Sequence, residues 1–104
     1  MAQSIANLAQ ISVTVAGTRQ QISSVDIRTP LIVITAITGN TGLIYIGDSA
    51  VSSTKFILEL AAGETAEIRA TESNAFGEEF SLSDFYVDAA TSADKINVGY
   101  IKRR

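Results

Sequence analysis

The chain has 104 residues, with no cysteine, histidine or tryptophan, one proline and one methionine. Thiolate nucleophiles, imidazole bases and Cys/His metal clusters are thereby excluded, and acid–base chemistry near neutral pH would have to rest on strongly shifted carboxylates or lysines. A hydrophobic fraction of 46% against 18% charged excludes intrinsic disorder and leaves one domain with apolar surface to spare, while a net charge of −3 gives no generic nucleic-acid footprint.

In the first ten residues Ile5, Leu8 and Ala9 recur at i, i+3 and i+4, a spacing that fits a short helix as well as an extended arm or a frayed end. Met1 to Ile5 lacks a basic region followed by an apolar one, and no apolar run approaches the ~20 residues of a membrane helix. Synthesis in a cytoplasm is the expectation. Beyond residue 10 the β-branched content dominates: 13 Ile, 7 Val and 10 Thr make up 30 of the 104 residues, side chains that suit a pleated sheet better than a helix.

Ile11-Ser12-Val13-Thr14-Val15 alternates with period two, and Ala16-Gly17-Thr18 turns the chain toward a short strand at 19–23. Pro30 keeps Thr29 extended and precedes Leu31 to Ile37, a run apolar on both faces and so expected to be covered on both. Gly39-Asn40-Thr41-Gly42 reads as a turn and Leu43 to Ile46 as a returning strand, which predicts a hairpin over 31–46. Gly47-Asp48-Ser49 closes it. Phe56 to Leu60 is the next strand, Ala62-Gly63-Glu64 a turn, Thr65 to Ala70 a less regular strand and Thr71 to Ser81 a loop. A last hairpin is predicted between 85–87 and 95–100, across Asp88 to Asp94. Together these elements predict an all-β fold, an antiparallel two-sheet β-sandwich of jelly-roll-like or immunoglobulin-like connection over 11–101. An N-terminal arm or helix, 1–10, precedes it and a basic tail, 102–104, follows.

Nine acidic residues lie between Glu59 and Asp94 against one base, Arg69, whereas Lys102-Arg103-Arg104 is all basic. Asp84, Asp88 and Asp94, with Glu78 and Glu79, offer oxygen ligands of the kind calcium accepts, but without EF-hand spacing; solvated acidic loops are the commoner outcome. A glycosidase pair would need carboxylates ~5–9 Å apart, which no spacing here specifies. The Gly39–Gly42 segment lacks the Lys-Ser/Thr of a phosphate-binding loop. Phe76, Phe80, Phe85 and Tyr86 fall within eleven residues, either as core anchors or as a stacking surface for a sugar or a partner. No catalytic, cofactor-binding or metal-ligating residue is assigned.

Three pieces in fixed order carry a resemblance. They are Asn40-Thr41-Gly42-Leu43-Ile44-Tyr45-Ile46-Gly47-Asp48-Ser49, then Ala62-Gly63-Glu64, then Ser83 to Val98 with its Tyr-Val-Asp and Asp-Lys elements. Over about residues 31–101 the chain resembles the small capsid decoration, or cement, proteins of tailed bacteriophages, cyanophages included. In this sequence Ala93 stands where the pattern has glycine before Asp-Lys. The resemblance implies a non-enzymatic, cofactor-free structural protein. It would be a homotrimer on the outer surface of the virion head that clamps neighbouring major capsid protein subunits, made in the host cytoplasm, with neither membrane nor direct nucleic-acid contact. Ile5, Leu8, Lys102, Arg103 and Arg104 are the expected capsid or trimer contacts. The alternative is a carbohydrate-binding or receptor-binding module of a phage tail fibre, with 76–88 as its site.

Overall fold

The computed structural model describes the backbone of residues 3–8, 10–69 and 80–103, and the side chains of 5–8, 10–69 and 80–101. Among these residues the chain is all-β, with one 3₁₀ turn at Leu82–Asp84 and antiparallel pairing throughout. Its strands are β1 Gln3–Asn7, β2 Ile11–Val13, β3 Gln20–Gln21, β4 Arg28–Thr29, β5 Leu31–Ala36, β6 Ile44–Gly47, β7 Leu58–Leu60, β8 Thr65–Arg69, β9 Phe80–Ser81, β10 Tyr86–Ala89 and β11 Asp94–Arg103. A five-stranded sheet has the order β1-β11-β5-β8, with β2 also on β11; a four-stranded sheet has the order β3-β10-β6-β7; β4 and β9 form a third, two-stranded sheet.

The buried residues of the two larger sheets form one cluster. Ile32, Ile34 and Ala36 of β5 and Ile96 and Val98 of β11 meet Ile44 and Ile46 of β6 and Val87 and Ala89 of β10. Period-two patterning puts them there: β5 buries every second residue, and so does β11 from Asp94 to Val98. In β6 all four residues are buried, because Tyr45, on the face away from the core, is covered by Phe56 with ring centroids 5.2 Å apart.

Both predicted hairpins are corrected. β5 pairs with β11 and β8, whereas β6 pairs with β10 and β7, so the chain crosses between sheets over 37–43 and does not turn back on itself. β10 and β11 also lie in different sheets, joined by 90–93. The Gly/Asn-rich segment marks a change of direction, and the change made is a sheet-to-sheet corner. The N-terminal segment is extended, not helical, with Gln3 opposite Arg103 and Asn7 opposite Gly99 on β11; Ala9 lies outside the described residues. The extended loop expected over 71–81 closes on β9 at its end, and 70–79 lie outside the described residues.

Polar side chains hold the corners, Asp88 and Asp94 among them buried. Asp94 accepts hydrogen bonds from the backbone N–H of Thr41 at 3.1 Å and of Gly42 at 2.9 Å, and Asn40 bonds both the N–H and the carbonyl of Lys95 at 2.8 Å. The 37–43 crossover is thereby pinned to the start of β11. Asp88 accepts from the N–H of Gly17 at 3.0 Å and of Ala89 at 2.8 Å, which ties the 14–19 loop to β10. A Cβ on Gly42 would overlap Thr91 Oγ1, so glycine there answers a close approach. Ala93 has φ 73°, the left-handed region that an L side chain adopts at a cost.

Candidate interaction face

The residues of β5 that turn from the core, Leu31, Val33 and Thr35, belong to the outer face of the five-stranded sheet. Register completes that face: Ile5 of β1 lies opposite Ile101, and Gly99 lies between Asn7 and Val33. Leu31 and Val33 in turn face Arg69 and Glu67 of β8. Ile5, Leu31, Val33 and Ile101, with Asn7 and Gly99, line a groove of about 360 Å³. Its low point is Gly99, where the absent side chain leaves the floor open. One end is aliphatic, and toward Thr35 and Asn97 the face becomes polar. On the β8 rim Arg69 and Glu67 form an ion pair at 2.8 Å.

The expectation that 31–37 is covered on both faces holds for one face within the chain. Ile32, Ile34 and Ala36 are fully buried, while Leu31, Val33 and Thr35 remain half-buried beneath open space. Ile5 is 83% exposed, an unusual position for a large aliphatic side chain beside other aliphatics.

The other expected contact residues are placed differently. Leu8 packs against the core, with its N–H donating to the Val98 carbonyl at 3.0 Å, and is not part of the outer face. Lys102 and Arg103 continue β11 at register positions opposite Ser4 and Gln3; Arg104 lies outside the described residues.

Asp84 is exposed, whereas Asp88 and Asp94 are buried with backbone donors on them. The two buried carboxylates serve loop architecture. Glu78, Glu79 and Phe76 lie outside the described residues. Among the described residues no group of three or more acidic side chains is gathered as metal ligands would be. Phe80 and Phe85 pack edge-to-face at 5.3 Å against the core, so these two aromatics anchor structure. A second groove of about 270 Å³ lies between Asp48, Lys55, Phe56, Ile57, Asp84 and Phe85, with Phe56 41% and Ile57 62% exposed. Period-two reading alone did not single it out, because its residues come from a loop, a strand end and the 3₁₀ turn.

Outside these grooves, the carboxyl of Asp26 is held below its ordinary range by a hydrogen bond from Ser81, opposed by slight desolvation and helped by Arg28, whose Nε lies 3.5 Å away. It is a surface pair beside the third sheet. Comparison of the chain with protein-family models, with curated proteins and with solved structures yields no match.

Proposed function

We propose that this chain is a non-enzymatic structural protein of a bacteriophage head, a capsid decoration protein that works through contact area instead of a chemical site. In its finer fold it is read as a two-sheet, jelly-roll-like sandwich whose corners are the two crossovers. The observation that carries the reading is the open aliphatic face of the five-stranded sheet, on a chain that has neither thiol nor imidazole. Apolar surface exposed as a contiguous patch on a soluble protein is a common mark of an association site. The pieces that carry the family resemblance agree with this. Their two buried aspartates, Asp88 and Asp94, have loop-tethering partners that account for them without substrate chemistry.

In this reading the outer face meets neighbouring protein, and Lys102-Arg103-Arg104 supports it by charge against carboxylates of the shell. The test is binding of purified protein to undecorated heads. Wild type is expected to bind saturably, Val33→Asp to lose most binding, and a chain lacking 102–104 to bind more weakly with a shallower salt dependence. Unchanged binding by both variants overturns the contact assignment, and no binding by the wild type overturns the function. The groove beside Phe56 favours the tail-fibre alternative, because an exposed ring flanked by carboxylates and a lysine suits a sugar. A glycan array with hits that Phe56→Ala abolishes would select that alternative.

A further inference from the structure

Edge strands invite pairing, and proteins usually blunt them with charge, brevity or proline. Four edges of the two larger sheets follow that rule. β8 carries Glu67 and Arg69, β7 carries Glu59 within three residues, and β3 and β2 are only two and three residues long. β1 does not. Gln3-Ser4-Ile5-Ala6-Asn7 is five residues long, uncharged and free of proline and glycine, with its central isoleucine 83% exposed.

The ladder also fixes which backbone groups of β1 have no partner among the described residues. Leu8 continues the β1 register, and its N–H donates to Val98. In an antiparallel ladder alternate residues turn both N–H and C=O to the same side, so Ser4, Ala6 and Leu8 address β11 while Gln3, Ile5 and Asn7 address the open edge.

From this we infer that β1 is a self-association edge, its occupant β1 of a second copy of this chain, paired antiparallel about a two-fold axis through Ile5. In that register Ile5 meets Ile5 of the second copy, and Gln3 meets Asn7 in both directions. Every one of these pairs matches an outward-facing residue with an outward-facing residue, so each exchanges both backbone hydrogen bonds. A register shifted by one residue would set outward-facing groups against inward-facing ones and lose that match. The chemistry is also self-complementary, amide opposite amide, small opposite small and aliphatic opposite aliphatic, as an isologous contact demands. Pairing extends the five-stranded sheet across the seam and joins the two aliphatic grooves into one stripe. The two-fold axis places the Lys102–Arg103 ends of the two copies at opposite ends of the seam, where like charges do not meet.

The inference departs from the three-fold assembly that the resemblance implies and does not rest on the proposed function, since the edge is the same whatever the face binds. Sedimentation velocity on the full chain over micromolar concentrations tests it, together with single cysteines placed in a chain that has none of its own. Hydrogen-bonded antiparallel pairs hold Cα atoms about 5.5 Å apart, within disulfide reach. Ile5→Cys is therefore expected to give a disulfide dimer under mild oxidant at least tenfold faster than Ile57→Cys, another exposed aliphatic position, just before β7 of the other sheet. Ile5→Lys, at a side chain that contributes little to the core, is expected to weaken dimerisation at least tenfold with an unchanged melting temperature at low concentration. Ile5→Pro, which removes only an outward N–H, is expected to do the same. A monomer throughout, a trimer of the kind the family resemblance implies, equal cross-linking at the two cysteines, or a dimer indifferent to Ile5→Lys would each overturn the assignment.

Discussion

The two faces of β5 are written in nearly the same residues and lead different lives. Ile32, Ile34 and Ala36 are sealed between the sheets, while Leu31, Val33 and Thr35, one position away each, form the floor of an open groove. In the amino-acid pattern they are indistinguishable, because aliphatic character records that a face is to be covered without recording by what. The inner face is covered by β6 and β10 of the same chain. For the outer face the chain supplies no cover among the described residues, and β8 adds only a rim ion pair. The difference teaches that surplus hydrophobicity in a small β-protein is best assigned face by face, after the strands have been given their partners.

Truncation on the inner face breaks the comparison most severely. Ile34→Ala removes a fully buried side chain and is expected to cost about 2–5 kcal/mol of unfolding free energy through lost burial and the cavity left behind. Val33→Thr on the outer face keeps volume and strand propensity and should fall within about 0.5 kcal/mol of wild type. Chemical denaturation of the two variants side by side checks the contrast. A cost at Val33 equal to that at Ile34 would show that the outer face is covered within the chain after all.

Next in size is the corner that separates the two environments. Asp94→Ala leaves the N–H groups of Thr41 and Gly42 without their acceptor, and two part-buried hydrogen bonds at about 1–1.5 kcal/mol each give a loss of roughly 2–3 kcal/mol. Asp94→Asn keeps one acceptor oxygen and should lose about half as much. If both variants melt with the wild type, the 37–43 crossover is held by Asn40 and not by Asp94.

These corners also explain how much of the fold was legible. Strand positions followed from period two and β-branching, so β5, β6, β7 and β10 fall close to the expected segments. Partners did not follow, because a loop of four to seven mostly small or polar residues serves a hairpin and a sheet-to-sheet crossover equally well. What decides between them is long-range: Asn40 meets Lys95, and Asp94 meets Thr41 and Gly42, partners more than fifty residues apart that come together only in the fold. β1 was ambiguous because Ile5 and Leu8 stand three apart, a helical spacing; in the strand they face opposite ways, Leu8 to the core and Ile5 to solvent. Of the expected contact residues, Ile5 lies on the outer face and Leu8 packs against the core. Gly99 and Ile101 gave no signal of their own, since their role comes from register on β11.

A smaller, stabilising change sharpens the corner account. Ala93 holds φ 73°, in the region that favours glycine, and relieving that strain outweighs the extra chain entropy of glycine in the unfolded state. Ala93→Gly is expected to raise stability by about 0.5–1 kcal/mol, seen as an upward shift of a few degrees in melting temperature. A decrease would mean that the turn relaxes around alanine without strain.

The smallest expected effect lies at the third sheet, on neither of the two faces. Asp26 has its carboxyl lowered below 3.8 in the folded chain by Ser81 and Arg28. A depressed folded-state value means that the unfolded chain binds the proton more readily. The contribution is therefore complete at pH values above the unfolded value and is lost as pH falls through the folded one. Asp26→Asn should leave the melting temperature at pH 2 close to that of wild type and lower it slightly at pH 6, flattening the acid limb of the stability profile. The effect should shrink in high salt, because the pair is exposed and screened. An acid limb of unchanged slope would show that the Asp26 pair contributes nothing to the acid sensitivity of the fold.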